Sequence, residues 1–360
     1  MYKKGVLLVN LGSPDSTKVK DVKKYLGEFL MDKRVIDMSY LKRLILVKGI
    51  ILNTRPKKTA EAYKKIWLKE GSPLVVLSEK FYKKVSKKTI IPMALAMRYG
   101  SMSIENGIAE LNKQGVNHIL LIALYPHYAM SSFETVEVKA LEIQKNLYPE
   151  IKVDTFPVFF NESNYIKAMS ENIMKHINSL KYDYILFSYH GIPERHIKIS
   201  DPTKSHCKID GTCCNLPSKA HQTCYRHQCF ETTKKIVKTL GLKEGEYGNS
   251  FQSRLLRDPW LKPYTDFEFE RLAKKGIKKL IVLTPSFVTD CLETLEEIAI
   301  EGKKQFIQAG GVSYKHIPCL NDDDLWVDVV CNWIKKWESS DFVSEISENI
   351  DVKKIANSTK

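Results

Sequence analysis

The chain has 360 residues, 43% hydrophobic and 27% charged, an ordinary globular composition with enough length for two packed domains. No run of about 18 apolar residues occurs, so no segment is expected to span a membrane. Net charge is +14, but the lysines are spread out and no basic block carries interleaved aromatics; nucleic acid is not expected as a partner, whereas anionic lipid or an anionic substrate fits the charge.

In chain order, "GVLLVN" (5–10) follows two lysines and lacks the long apolar stretch and cleavage site of a signal peptide, so it predicts a first buried strand. "IIPMALA" (90–96), "HILLIALY" (118–125), "YILFSY" (184–189) and "KKLIVLTP" (278–285) predict further buried strands. Segments near 18–31, 57–69, 76–88, 101–114, 131–147, 163–179 and 218–240 read as helices. Strand–helix alternation predicts an α/β fold with parallel sheets flanked by helices, and two such sheets fit the length. A crossover near 158–165 gives domains over 1–160 and 161–317. A C-terminal helix over 318–340, packing back on the first domain, and a polar tail over 341–360 complete the chain.

Open α/β sheets bind ligands beyond the carboxyl ends of their strands. After the first strand comes "NLGSPDS" (10–16), which is not G-x-G-x-x-G and gives a dinucleotide little support. Arg98 and Tyr99 follow the second strand. They form either an ion pair and a packed ring, or a pair that holds a ligand's carboxylate and stacks on its ring. "YPHYAMSS" (125–132) follows the third. His190 ends the fourth and precedes a glycine, where an imidazole is either structural or suited to proton transfer and metal ligation. After the last comes "TDCLETLEEIAIE" (289–301), with Glu293, Glu297 and Glu301 four residues apart. On a helix they share one stripe, while Leu292, Leu295, Ile298 and Ala299 read as core contacts. The stripe is either a solvated face or a track for protons or a cation.

Five of eight cysteines fall between Cys207 and Cys229, and without a secretory signal such a cluster points to metal more than to disulfides. The spacing is C-x6-C-x9-C-x4-C through Cys207, Cys214, Cys224 and Cys229, or C-x5-C-x10-C-x4-C if Cys213 replaces Cys214. Four thiolates suit an iron–sulfur cluster or zinc. Cys319 and Cys331 read as core residues.

Together these motifs resemble the ferrochelatases, which insert ferrous iron into a porphyrin to make haem. The resemblance runs from about residue 4 to 337. It is carried by "LLVNLGSPDS", "YLGEFLMDKRVID" (25–37), "RPKKTAEAYKKIW" (55–67), "GSPL" (71–74), "AMRYG" (96–100), "LYPHYAMSS" (124–132), "SYHGIPERH" (188–196), "SFQSRLLRDPWLKPYT" (250–265), "TPSFVTDCLETLEEI" (284–298) and "PCLND" (318–322).

The resemblance implies two Rossmann-like domains with a porphyrin cleft between them. It implies that His190 is the catalytic histidine, Glu293 its acidic partner, and Glu297 and Glu301 the continuing acidic line. It places Arg98 and Tyr99 across the cleft, with Tyr99, Tyr125 and Trp260 as candidate walls. Residues 25–52, with Phe29, Leu30, Met31, Val35 and Ile36, resemble a hydrophobic lip through which a cytoplasmic member touches a membrane surface or receives substrate from the preceding enzyme. Leu11 stands where a coproporphyrin-using subgroup carries Tyr, and favours protoporphyrin IX over coproporphyrin. Cys291 stands where some members carry His, and either packs or touches metal. The cysteine segment 206–229 resembles that of bacterial members with a [2Fe–2S] cluster. A chelatase for cobalt or nickel would lack the lip, and a porphyrin carrier would not need both His190 and Glu293.

Overall fold

The computed structural model describes residues 2–255 and 258–339. The tail expected over 341–360 lies outside them. The described residues divide into two compact units, one of residues 2–125, 130–158 and 322–339, the other of 126–129 and 159–321.

The first unit holds a four-stranded parallel sheet of β1 (Lys4–Gly12), β2 (Met93–Tyr99), β3 (His118–Ala123) and β4 (Lys152–Thr155), in the order β2-β1-β3-β4. The central strands are near-continuous apolar runs because helices cover both faces of a parallel sheet. Val6, Leu8 and Val9 of β1 and Ile119 to Ile122 of β3 are fully buried. Right-handed crossovers send the chain leftward from β1 to β2 and rightward afterwards, so the connecting helices lie on opposite faces. The last described helix, Asp324–Ser339, packs on the helix Pro73–Lys88, with Trp326 stacked on Phe81 at 5.7 Å.

The second unit repeats this plan with β5 (Tyr184–His190), β6 (Tyr247–Gln252), β7 (Lys279–Leu283) and β8 (Ser313–His316), parallel and ordered β6-β5-β7-β8. Here the direction reverses between β5 and β7, which marks their carboxyl ends as the ligand-binding edge. Strands β4, β6 and β8 had no apolar run in the sequence. β4 and β8 are short edge strands with few buried positions. β6 buries polar groups instead, in a network of Ser188, Ser250, Gln252 and Thr265 with bonds of 2.7–2.8 Å.

The helix carrying the three glutamates is a π-helix over Glu293–Gly302. A π-turn closes in roughly four and a half residues, so four-residue spacing still keeps one stripe. The core side is set differently from the expectation. Thr294, Ile298 and Gly302 are buried, whereas Leu292, Leu295 and Ala299 are only half-buried. Ile298 joins a cluster with Leu186, Phe269, Val282 and Phe306. A Cβ on Gly302 would lie 2.8 Å from both Phe269 and the Tyr314 hydroxyl, so a glycine lets the helix sit this close.

Candidate active site

His190 is the last residue of β5, at the point where strand order reverses. Both of its backbone polar groups are held. Its N–H donates to Ser286 Oγ at 2.9 Å, and its carbonyl accepts from Tyr225 Oη at 2.8 Å. On the ring, Nδ1 lies 2.7 Å from the Gly191 carbonyl. A carbonyl only accepts, so Nδ1 carries the proton of the neutral ring and Nε2 keeps its lone pair. Burial lowers the imidazolium pKa, and the Glu293 charge opposes it. The result is an imidazole that is neutral and basic at Nε2 near neutral pH. Gly191 is needed for the turn, because a Cβ there would lie 2.7 Å from the Gln252 carbonyl and 3.3 Å from the Trp260 ring.

Glu293 begins the π-helix, and its carbonyl accepts from Gln252 Nε2 at 3.1 Å. The buried Cys291 thiol is pushed up by burial and by the nearby Glu293 charge. Glu297 is held at both oxygens by Ser253, whose N–H donates at 2.9 Å and whose hydroxyl donates to the other oxygen. Ser253 has φ +65°, a left-handed conformation that costs a non-glycine residue about 1 kcal/mol or more. Burial lifts the Glu297 carboxyl to about 7, with the Ser253 bonds pulling down and the Glu293 charge pushing up. Glu301 is half-buried on the same stripe. Asp290 anchors the helix start. It accepts from Thr294 Oγ1 and Asn321 Nδ2, both at 2.7 Å, and from the Cys319 N–H at 3.2 Å.

Trp260 is 8% exposed and backs Gly191. An isolated bridge joins Pro193 and Trp260 beside this turn.

On the first unit, Leu11, Arg98, Tyr99 and Tyr125 cluster at the carboxyl ends of β1, β2 and β3. Leu11 and Tyr125 are half-buried. Tyr99 is 1% exposed and packs edge-on against Phe29 at 5.2 Å, the packed-ring arrangement of the two read from sequence. Its hydroxyl and the Arg98 guanidinium both turn to Asp32. Arg98 Nη2 lies 2.5 Å from Asp32 Oδ2, Tyr99 Oη 3.0 Å, and Thr135 Oγ1 2.5 Å. Arg98 Nε also donates to Thr135 Oγ1 at 2.8 Å. Burial works to raise Asp32, but bonds from Thr135 and Arg34 and the Arg98 charge hold it below its ordinary value. The pair is thus tied up within the unit, because a buried guanidinium needs a charged partner.

The lip residues also differ from expectation. Leu30 and Ile36 are buried, since Leu30 sits on the inner face of the helix Val19–Met31 beside Val22 and Leu26. The exposed apolar side chains come later, on the helical stretch 40–54: Tyr40, Leu41, Ile45 and Ile50, each more than half exposed.

The five clustered cysteines are all buried and all free thiols. Cys224 caps the helix Tyr225–Leu240, and the Cys207 and Cys214 thiols lie near enough to shift its titration. Cys229, one turn on, lies within electrostatic reach of Cys224 and Cys214. Cys213 enters through its carbonyl, which accepts from His206 at 2.8 Å. The hydrogen bond from its neighbour Cys207 raises the Cys224 thiol to about 12, and the bond with Cys224 raises Cys214. Among the described residues, no three His, Cys, Asp or Glu side chains converge as ligands of one ion would.

Ser253, Ser286, Tyr225 and Asp32 were not singled out from sequence. Three of them lie inside the quoted motifs, but nothing in a serine or aspartate codon position tells which neighbour it will bond.

Two parallel sheets of one topology, each with polar groups at its carboxyl edge, define an α/β fold of the chelatase type. The solved structure of SirB from Bacillus subtilis with Fe3+ shares this fold, at a TM-score of 0.51 and 12% identity, covering 93% of this chain and 95% of that one. The cobalt complex of a sirohydrochlorin chelatase SirB from Bacillus subtilis subspecies spizizenii gives a TM-score of 0.50 at 12% identity, over 92% and 93%. A sequence model of the ferrochelatase family matches residues 3–337. The ferrochelatase of Opitutus terrae is 48% identical over 340 residues, 94% of this chain and 98% of its own length. That of Pseudomonas syringae pv. syringae is 44% identical over 322 residues, 89% and 94% of the two chains. The chain belongs to the ferrochelatase family, and it is an enzyme of the metal-inserting lyase class.

Proposed function

We propose that the chain inserts Fe2+ into protoporphyrin IX, with His190 Nε2 accepting a pyrrole proton. One observation carries the assignment of the base: Nδ1 is committed to the Gly191 carbonyl, which leaves the Nε2 lone pair for the substrate. Metalation releases two protons, so a base alone is insufficient and a route for protons is needed. Glu293 takes or shares the His190 proton, and Glu297, with a carboxyl near 7, is matched to accept and release it at physiological pH. Glu301 continues the stripe. The substrate iron meets His190 and Glu293. Leu11 and Tyr125 touch the porphyrin, while Arg98 and Tyr99 act by holding Asp32.

The cysteine segment is assigned to a [2Fe–2S] cluster held by Cys207, Cys214, Cys224 and Cys229. The chemistry of the donors supports this: all four are buried free thiols of one short segment, two of them at the start of the helix Tyr225–Leu240. Each iron of such a cluster asks for only two protein thiolates, whereas a lone zinc would need four at one point. When bound, the cluster supplies a rigid four-sulfur anchor and takes its cysteines as thiolates. The exposed apolar side chains of 40–54 fit a peripheral hold on a membrane surface from the cytoplasm, and the surplus of lysines fits anionic headgroups. No described helix is long and apolar enough to cross a membrane.

The test is anaerobic metalation, followed by loss of protoporphyrin fluorescence with Fe2+, beside His190→Ala. Turnover that falls by at least about 100-fold in the variant, the lower range for a lost general base, supports the assignment. Full activity in His190→Ala removes His190 from the role. Porphyrin binding without metalation in either protein overturns the enzyme reading.

A further inference from the structure

The helix Tyr225–Leu240 has two employments. Its first turns belong to the cysteine segment. Cys224 is its cap, Cys229 lies one turn in, and Gln228 Nε2 donates to the carbonyls of His221 and Gln222 at 3.2 and 2.8 Å. The same helix also holds the end of β5. Thr233 bonds the Tyr189 hydroxyl at 2.7 Å, and Tyr225 donates to the His190 carbonyl at 2.8 Å. Tyr225 therefore touches the catalytic strand while its chain neighbour Cys224, the helix cap, is one of the proposed ligands. Its hydroxyl is also near Cys229 and Ser286, the acceptor of the His190 N–H. It is 4% exposed, and His127 packs edge-on against it at 5.7 Å. A ring so confined has little freedom to follow His190 if the helix start shifts.

We propose that Tyr225 is a positioning residue that couples occupancy of the cysteine site to the setting of His190, through its hydrogen bond to the His190 carbonyl. The inference rests on the cysteines holding a cluster. It requires no electron transfer. Ligation at Cys224 and Cys229 fixes the first turn of the helix, and the Tyr225 hydroxyl transmits that position to the backbone of the base. Without the cluster, thiols are weak donors and give that turn no comparable anchor.

The experiment uses the full chain, assembled anaerobically with Fe2+ and sulfide, as wild type and as Tyr225→Phe. Visible absorption and the EPR signal of the reduced protein report cluster content. The ring resonance of His190, identified by its loss in His190→Gln, reports the setting of the base, and fluorescence reports the Kd for protoporphyrin. Stripping the cluster from wild type is expected to move the His190 resonance and to weaken binding or turnover about fivefold or more. Tyr225→Phe, with its cluster full, should already resemble stripped wild type, and stripping it should add little. Ser286→Ala loosens His190 from the other side and should keep its response to stripping. The proposal is overturned if stripping moves both wild type and Tyr225→Phe equally, if Ser286→Ala loses the response as Tyr225→Phe does, or if full-cluster Tyr225→Phe matches wild type. A wild type that assembles no cluster fails at the first readout; that outcome removes the cluster reading and the proposal with it, and is distinct from a full cluster with an unmoved His190.

Discussion

Glu297 shows how a single residue can be set against the stability of its own fold. Its carboxyl is raised to about 7, so the folded state binds this proton more tightly than the unfolded chain does. The favourable contribution is complete below the ordinary carboxylate value of 4.5 and is lost as pH rises through about 7. Glu297→Gln does not titrate. Its melting temperature is therefore expected to rise relative to wild type between pH 5 and pH 8, while iron insertion falls. Calorimetry across that range checks the sign, and a difference that shrinks with pH would contradict the buried carboxyl. Ser253 carries the same argument one residue away. Ser253→Gly relieves the positive φ and keeps the N–H bond, but removes the hydroxyl bond. The acid limb of the pH–rate profile should then move upward, because a bond that favours the ionised form is gone.

At the scale of elements, the turn after β5 is the least tolerant point. Gly191→Ala puts a methyl 2.7 Å from a backbone oxygen of β6, which cannot be relieved by a side-chain rotation. The variant is expected to lose turnover by more than it loses stability, measured as kcat beside a urea midpoint. On the first unit the helix Val19–Met31 ends at Asp32, which collects bonds from Arg98, Tyr99 and Thr135. Asp32→Ala leaves a half-buried guanidinium without its partner and should cost about 3–5 kcal/mol in unfolding free energy. A loss under about 1 kcal/mol would mean that water replaces the carboxylate. The buried strands and most helices were legible from apolar runs and amphipathic spacing, since burial on both faces of a sheet leaves few other choices. Edge strands β4 and β8 were not, because one covered face and a short span leave no such run.

For the whole molecule, the exposed apolar residues of 40–54 and the charge of +14 bear on where the enzyme works. Leu41→Glu with Ile45→Glu should reduce sedimentation with vesicles containing anionic lipid, while turnover on detergent-dispersed porphyrin stays near wild type. Undiminished sedimentation would shift the membrane contact to another surface. Weakening of wild-type binding by salt is expected, since exposed charges are screened within about 8 Å at physiological ionic strength.

By itself the sequence determined the α/β class, the doubled sheet and the family, and it singled out His190, Glu293 and the cysteine group as candidates. Those are properties of order, spacing and residue type, and they survive without coordinates. Only the tertiary structure decided which nitrogen of His190 is committed, that Tyr99 and Trp260 are packed away, and that Arg98 spends itself on Asp32. It also decided that the Cys213 carbonyl accepts from His206. These depend on partners 60 or more residues apart in some cases, such as Arg98 and Asp32, and on the direction a side chain takes from its backbone.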